Sequence, residues 1–258
     1  MSIRVGIVGV LGRMGSAVGR ALGGAEDIRL IGGVERTGHP GLGRPCGDGE
    51  VVAGLAELLG GVDVVVDFAL GDGLAERVRA CAGSGRGYVC GVTGLDEPTW
   101  QELQDAARTI PVVHAPNFSV GVNLLLRLAG EARRRLGPEY DVEVIETHHR
   151  QKRDAPSGTA ARLVEVILDA ARVSRVRNGR CGLVGAKEQG EVGIHSVRTG
   201  DVVGDHTVVF GGPGERIELT HRATGREAFA RGAVLAVRFC VGRAPGFYGM
   251  ADVLDRRG

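Results

Sequence analysis

The sequence predicts an α/β protein built on a Rossmann-type, doubly wound parallel sheet. Three observations indicate this class. Short apolar runs rich in β-branched residues alternate with helix-like stretches through the first half of the chain. A glycine loop, GVLGRMG, follows the first of these runs directly. An acidic residue ends the second run, about twenty residues after the loop, as in dinucleotide-binding folds.

Composition limits the partners that the chain can have. It has 258 residues, of which 43% are hydrophobic and 24% charged, so it is long enough for one large domain or two modest ones. The formal charge is +1 with no Lys/Arg-rich run, which predicts no nucleic-acid and no membrane partner and favours a small polar ligand. The start has no signal-peptide pattern, and we expect a cytoplasmic protein. Five scattered cysteines without CxxC spacing indicate reduced thiols.

The first predicted unit is strand, glycine turn and helix. The strand is Ile3 to Val8, and the helix runs through Leu22. Gly9 permits the tight turn, Gly12 lets a pyrophosphate approach the backbone, and Gly15 lets the helix pack closely. A GxxGxxG loop by itself fits an ordinary strand-to-helix turn equally well.

The second strand, Ile28 to Val34, strengthens the dinucleotide interpretation because it ends at Glu35-Arg36. Glu35 is placed to meet the ribose hydroxyls of NAD, and Arg36 could meet the 2′-phosphate of NADP. The alternative is a solvated ion pair at a strand end. Loop and pair together favour dinucleotide binding.

Further elements of the first half continue the alternation. The predicted strands and helices are Val62 to Phe68, Asp72 to Ala82, Tyr88 to Val92, Pro98 to Ala107 and Pro111 to His114. Ligands of such sheets bind at the carboxyl ends of the strands. This rule selects Asp67 to Ala69, Gly91 to Gly94 and Ala115 to Ser119.

The densest site chemistry lies in the second half. A helix from about Val120 to Leu136 precedes a strand, Asp141 to Glu146, that delivers His148 and His149 at its end. Because side chains alternate along a strand, the two histidines should point in different directions, and either could face a ligand.

The turn that follows, DAPSGTA, predicts an anion site. Ser157 or Thr159 can cap a helix that begins near Ala160, and a helix N-terminus beside Lys152 suits a carboxylate or phosphate. A plain capping turn is the simpler alternative. A metal site at His148 and His149 would lack a third ligand, so we predict no bound metal.

These motifs resemble the 4-hydroxy-tetrahydrodipicolinate reductase family, formerly called dihydrodipicolinate reductase, of the diaminopimelate route to lysine. The segment from Glu146 to Ala160 is highly specific, whereas the glycine loop is not. The resemblance covers essentially the whole chain, through GVLGRMG, Glu35-Arg36, VVDF, GVTG, APNFSVGVN, Glu146 to Ala160, RTGDVVGDH, GERIELTHRA and FARGA.

The resemblance implies hydride transfer from NADH or NADPH to a cyclic, unsaturated dicarboxylate. It makes His148 the proton donor and Lys152 the charge stabiliser. The substrate would be held by His149, Ser157, Gly158, Thr159 and Thr93. The cofactor would be held by Gly9, Gly12, Arg13, Met14, Gly15, Glu35, Arg36, Phe68, Gly91, Val92, Thr93, Ala115, Asn117, Phe118, Arg226 and Phe229.

The resemblance also implies an architecture. Residues 1–118 with 226–258 would bind the dinucleotide, and residues 119–225 would form an α+β domain for substrate binding and tetramerisation. Hinges would lie near Phe118 to Val120 and Thr224 to Glu227, and the assembly would be a homotetramer.

Two departures from the family pattern concern the cofactor. The family commonly has threonine where this chain has Ala69 and Val92, so two hydroxyls near the nicotinamide are absent. We expect activity to survive with altered cofactor affinity. Two other functions compete with this interpretation: a Rossmann dehydrogenase acting on a different small acid, and a nonenzymatic nucleotide sensor.

Overall fold

The computed structural model describes residues 2–171 and 175–255. The chain divides into two compact units, Met1–Val120 with Arg226–Gly258, and Gly121–Gly225. Each unit is built on its own sheet. Among the helices of the described residues, none is both long and apolar enough to cross a membrane.

The first unit alternates strands and helices, as predicted. Its elements are β1 Ile3–Val8, α1 Arg13–Gly23, β2 Ile28–Val34, β3 Pro45–Cys46, β4 Gly49–Val52, α2 Ala56–Leu59, β5 Val64–Asp67, α3 Leu74–Gly83, β6 Gly87–Cys90, α4 Glu97–Ala106, β7 Pro111–His114, α7 Glu227–Cys240, β13 Gly246–Tyr248 and α8 Met250–Asp255. Helix α5, Val120–Leu136, begins where this unit passes into the second.

The sheet of the first unit has the order β13-β7-β6-β5-β1-β2-β4-β3. All neighbouring pairs are parallel except β3 and β4, which form a short antiparallel hairpin. Strand β1 lies between β2 and β5, so the direction of winding reverses there. The carboxyl ends of β1 and β5 therefore flank the position where open α/β sheets bind ligands.

Helices cover both faces of this sheet, which makes the fold doubly wound. Val64 and Val66 of β5 pack into a core with residues of α1, α7 and α8. Val65, between them, points to the opposite face and packs with α3 and α4. The predicted fold class is confirmed.

The second unit is a five-stranded sheet with helices on one face. After α5 its elements are β8 Asp141–His148, α6 Gly158–Ala171, β9 Val176–Asn178, β10 Val192–Arg198, β11 Gly204–Gly212 and β12 Glu215–Ala223. The strand order is β12-β11-β8-β10-β9, with β8 parallel to β10 and antiparallel to β11. Val142 and Val144 of β8 share a buried core with Leu125 of α5 and Leu163 of α6.

Two element boundaries differ from the sequence prediction. Strand β8 continues two residues beyond Glu146, because both of its neighbours pair with that end, Arg198 with His148 and Asp205 with Thr147. Helix α6 begins at Gly158 rather than near Ala160. The hairpin β3-β4 and the strands β9 to β12 were not assigned from periodicity, since they are short or lie among glycines.

We predict that Gly232→Ala destabilises the first unit. Gly232 lies within α7, and a Cβ there would fall 1.7 Å from the carbonyl oxygen of Phe118. Relieving this clash should cost about 1–3 kcal/mol of unfolding free energy, measured by urea denaturation. Gly19→Ala in α1 is the matched control, because its Cβ would meet Ile7 Cδ1 at 3.7 Å, an ordinary contact. Equal stability of both variants would contradict the prediction.

Candidate active site

The glycine loop after β1 has the geometry of a nucleotide-binding turn. Gly9 has φ 73°, in the left-handed region that favours glycine. A Cβ on Gly15 would lie 2.0 Å from the carbonyl oxygen of Gly9, so only glycine allows the first turn of α1 to lie against the loop. The conformational roles predicted for Gly9 and Gly15 are confirmed. Arg13 and Met14 follow in the first turn of α1, where backbone N–H groups lack helical acceptors.

Glu35 lies beside this loop. Its Oε1 accepts a hydrogen bond from the backbone N–H of Leu11 at 2.8 Å. The carboxylate is therefore fixed next to the turn, whereas Arg36 is exposed. A tight glycine turn, a helix N-terminus and an adjacent carboxylate fit the phosphates and ribose of a dinucleotide.

The turn after β5 is held from inside the fold. The buried carboxylate of Asp67 accepts hydrogen bonds from Tyr88 Oη at 2.5 Å, Arg77 Nε at 2.6 Å and the Ala69 N–H at 2.9 Å. Asp67 thus shapes the turn, and its carboxylate points into the fold rather than towards a ligand. Ala69 is close to the glycine loop, since a Cβ on Gly9 would fall 3.0 Å from Ala69 Cα.

The turns after β6 and β7 pack on the same region. Phe68 and Phe118 meet edge to face with ring centroids 5.4 Å apart, and a Cβ on Gly91 would fall 2.1 Å from the Phe68 ring. Val92 is buried, with its carbonyl oxygen 3.1 Å from His114 Nε2, and Thr93 next to it is exposed.

The remaining predicted cofactor residues lie nearby in sequence or in α7. Ala115 is buried, and Asn117 Oδ1 accepts a hydrogen bond from the Ser119 N–H at 2.9 Å. Arg226 precedes the first residue of α7 and is exposed, while Phe229 is partly buried in its first turn. Their contact with a cofactor remains a prediction.

The centre of the second unit is a buried pair, Glu146 and His148. The two residues are two positions apart on β8 and therefore share a face. His148 Nδ1 and Glu146 Oε2 are 2.5 Å apart, and the Glu146 side chain is fully buried. Arg198 donates from both terminal nitrogens to the Glu146 oxygens at 2.9 and 2.8 Å, and the Ser157 N–H donates at 3.2 Å.

These contacts set the charges of the pair. Burial acts to raise the pKa of Glu146, but hydrogen bonds from Arg198 and His148 outweigh it and hold that pKa at about 2. Burial lowers the pKa of His148, opposed by Glu146 and assisted by the charges of Lys152 and Arg198. The neutral ring donates from Nδ1 to the carboxylate, an assignment made from this network, and Nε2 remains for a ligand. Gly204 lies next to that Nε2, since a Cβ built on this glycine would fall 3.0 Å from it.

Ser157 connects the pair to the start of α6. Its Oγ accepts a hydrogen bond from the Ala160 N–H at 3.2 Å and lies 3.1 Å from His206 Nε2. The predicted cap by Ser157 is confirmed, and it places Gly158 and Thr159 in the first turn of the helix. Burial, followed by the charge of His148, lowers the pKa of His206 to about 4, so this ring is neutral at pH 7.

Lys152 and His149 lie in the turn after β8. The Lys152 N–H donates to the His149 carbonyl oxygen at 3.1 Å, and Lys152 Nζ forms an ion pair with Asp154 Oδ2 at 2.8 Å. The Lys152 side chain is 21% exposed and that of Asp154 is 59% exposed, so this pair is weak and a ligand can compete for the lysine. His149 Nδ1 is buried and has no hydrogen-bond partner within residues 2–171 and 175–255.

Sequence reasoning did not assign Glu146, Arg198 or His206 to this site. The signal for Glu146 was present, because a residue two positions before His148 must share its face. Arg198 and His206 reach the site only through strand register, which pairs Arg198 with His148 and His206 with Glu146. That register is not readable from a single sequence.

A glycine-loop unit and a second unit with a buried His–Glu pair define a two-unit, dinucleotide-dependent oxidoreductase. Residues 3–118 match the family described as dihydrodipicolinate reductase, N-terminus, and residues 121–254 match dihydrodipicolinate reductase, C-terminus. The chain belongs to the dihydrodipicolinate reductase family. The resemblance drawn from the motifs is confirmed.

Individual relatives agree with this membership. The chain is 46% identical over 266 residues to 4-hydroxy-tetrahydrodipicolinate reductase of Anaeromyxobacter dehalogenans (strain 2CP-C), covering 99% of this chain and 98% of the relative. It is 46% identical over 264 residues to the protein of that name in Myxococcus xanthus (strain DK1622), covering 98% and 97%. A dipicolinate-bound dihydrodipicolinate reductase structure from Paenisporosarcina sp. TG-14 aligns with TM-score 0.83 and 27% identity over 98% of this chain and 99% of that chain.

Proposed function

We propose that this protein reduces 4-hydroxy-tetrahydrodipicolinate to tetrahydrodipicolinate with NADH or NADPH, in lysine biosynthesis through diaminopimelate. The observation that carries the proposal is the buried Glu146–His148 pair, with Lys152 and the capped start of α6 beside it in a chain of this family. In this proposal the first unit binds the dinucleotide and the second binds the dicarboxylate.

The reaction requires a positioned proton donor. When bound, the dinucleotide supplies a hydride to the conjugated C=C–C=N system of the ring. The electron pair that this addition displaces must take up a proton at carbon, and imidazole is suited to donate it near neutral pH. Protonated His148 donates from Nε2, because Glu146 occupies Nδ1 and holds the ring. The 4-hydroxy substrate first loses water to give this conjugated ring, and one hydride and one proton then complete the reduction.

Anion binding orients the ring. Lys152 places a positive charge beside a carboxylate and the ring nitrogen once the substrate displaces Asp154. The second carboxylate is received by the Ser157-Gly158-Thr159 turn, where the N–H groups of Gly158 and Thr159 lie at the positive end of the helix dipole and the Ser157 hydroxyl caps the helix. The Nδ1 of the partly buried His149, which has no hydrogen-bond partner among the described residues, is suited to a further hydrogen bond with the substrate.

The second sheet offers a surface for the homotetramer that we propose as the assembly. Helices cover one face of this sheet, whereas Ile145 and Val197 on the other face are 38% and 42% exposed. Exposed apolar side chains on an open sheet face are typical of an interface between copies.

We predict that His148→Gln and Lys152→Ala each lower kcat by about 10²-fold, since one removes the acid and the other a stabilising charge. The measurement is NAD(P)H oxidation at 340 nm, with the ring made in place by the upstream synthase from pyruvate and aspartate semialdehyde. Arg153→Ala is the matched control for Lys152, because Arg153 is an exposed cation in the same turn. His149→Gln should mainly raise KM. Wild-type turnover in both His148→Gln and Lys152→Ala would contradict the mechanism.

We predict that Glu35→Ala weakens NADH binding and Arg36→Ala weakens NADPH binding, each roughly tenfold, because each variant loses a charged hydrogen bond. Dissociation constants are measured by titration calorimetry. Glu35→Gln is the control, since its amide oxygen can still accept from the Leu11 N–H that Glu35 now binds. Equal weakening of both cofactors by Glu35→Ala would mean that Glu35 acts through the loop alone, and unchanged affinities would place the pair away from the ribose.

We predict that Ile145→Asp dissociates the assembly into smaller species without loss of secondary structure, because it buries an unpaired charge at the proposed interface. Light scattering after size-exclusion chromatography measures the mass. Val241→Asp is the control, since Val241 is 40% exposed and lies in the first unit. A tetramer that persists in Ile145→Asp would move the interface elsewhere, and a wild-type monomer would remove the proposal.

A further inference from the structure

We propose that Glu146 and Arg198 are positioning residues that set how tightly His148 holds its proton, and that they act in opposite directions. The inference deepens the proposed function and rests on His148 as its proton donor. It concerns two residues that touch the donor or its partner rather than the reacting atoms.

One carboxylate oxygen of Glu146 contacts both His148 and Arg198. Glu146 Oε2 lies 2.5 Å from His148 Nδ1 and also accepts from Arg198 at 2.9 Å. The second oxygen accepts from the other terminal nitrogen of Arg198 at 2.8 Å and from the Ser157 N–H at 3.2 Å. Each oxygen of the carboxylate therefore accepts from two fixed donors. The ring of His148 cannot turn without breaking this arrangement.

Glu146 favours the protonated ring. A carboxylate at hydrogen-bond distance stabilises an imidazolium, and the contact at Nδ1 leaves the transferable proton on Nε2. Without Arg198 this carboxylate would carry a full negative charge in a buried position, and His148 would be a weak acid that releases its proton slowly.

Arg198 opposes that effect. It neutralises Glu146 through a two-pronged pair and adds a positive charge near the ring. Its own position is fixed by a further hydrogen bond to the Asp154 carbonyl oxygen at 2.6 Å. The arginine therefore weakens the hold of His148 on its proton, which suits a group that must donate.

Other titratable groups lie near His148, and one of them acts in the same direction as Arg198. Lys152, from the turn after β8, also disfavours the protonated ring, but it is ion-paired with exposed Asp154. His206, from β11, has its ring centroid 5.2 Å from that of His148 and is neutral at pH 7. On β8 and β10, Glu146 forms the hydrogen bond to His148, and Arg198 donates its hydrogen bonds to Glu146.

The test is the pKa of His148 in the substrate-free protein, measured by NMR titration of histidine labelled at Cε1. The chain has seven histidines, and His148→Gln assigns the resonance. We expect Glu146→Gln to lower this pKa by about one unit and Arg198→Met to raise it by about one unit. Glu143→Gln is the matched control and should leave the pKa of His148 unchanged. Glu143 is a carboxylate on the same strand, but its histidine partner is His195, at 2.8 Å.

A double variant tests the proposal even if Arg198→Met misfolds. Arg198→Met leaves a buried carboxylate without its cation, so it can fail to fold. The double variant Glu146→Gln/Arg198→Met contains no charge at either position, and its His148 pKa should exceed that of Glu146→Gln alone. Shifts in the same direction for the two single variants, or no rise in the double variant, would overturn the proposal.

Kinetics separate this proposal from the proposed function. The protonated donor is present below its pKa, so kcat/KM should fall as pH rises through it, and that fall should move down in Glu146→Gln and up in Arg198→Met. Opposite NMR shifts in a protein that does not oxidise NAD(P)H with this substrate would sustain the tuning and refute the reaction. Turnover with a His148 pKa that neither variant shifts would sustain the reaction and refute the tuning.

Discussion

A buried carboxylate cannot remain charged inside a protein unless donors surround it, and the second unit is organised around this constraint at Glu146. The donors come from three places along the chain: the end of the same strand, the end of β10, and the turn before α6. Satisfying one carboxylate therefore fixes His148, Arg198 and the start of the helix together. The elements that supply the anion-binding groups are the same ones whose hydrogen bonds stabilise the buried charge of Glu146.

Glu143 shows how differently a neighbouring carboxylate can be used. Burial also acts to raise its pKa, and hydrogen bonds from Arg180, Lys187 and His195 hold that pKa at about 2. It lies on the opposite face of β8 from Glu146, because the two positions differ by an odd number. The low pKa is thus common to both carboxylates, and the candidate site is distinguished by the pairing of Glu146 with His148, whose Nε2 remains for a ligand.

Sequence pattern was sufficient where one segment carries its own signal. The strand-loop-helix start, the cap at Ser157 and the helix α5 depend on local residues, and each lies where the sequence placed it. Patterns also reach two positions along a strand, which is enough to associate Glu146 with His148. Arg198 lies 50 residues beyond His148 and His206 lies 60 residues beyond Glu146, and nothing local fixes which strands pair or in which register. Tertiary contacts determine that part of the site.

The cross-strand register has a consequence for folding fidelity. Strand β11 pairs with β8 so that His206 lies opposite Glu146. A slip of one residue would turn His206 to the outer face and bring Asp205, a second acid, alongside the buried carboxylate. The slipped sheet would keep many of its backbone hydrogen bonds and much of its circular dichroism while lacking a competent centre. Yield of soluble, well-structured protein is therefore a poor guide to the fraction of molecules that have reached the native state, and titration of active centres is the better measure of refolding.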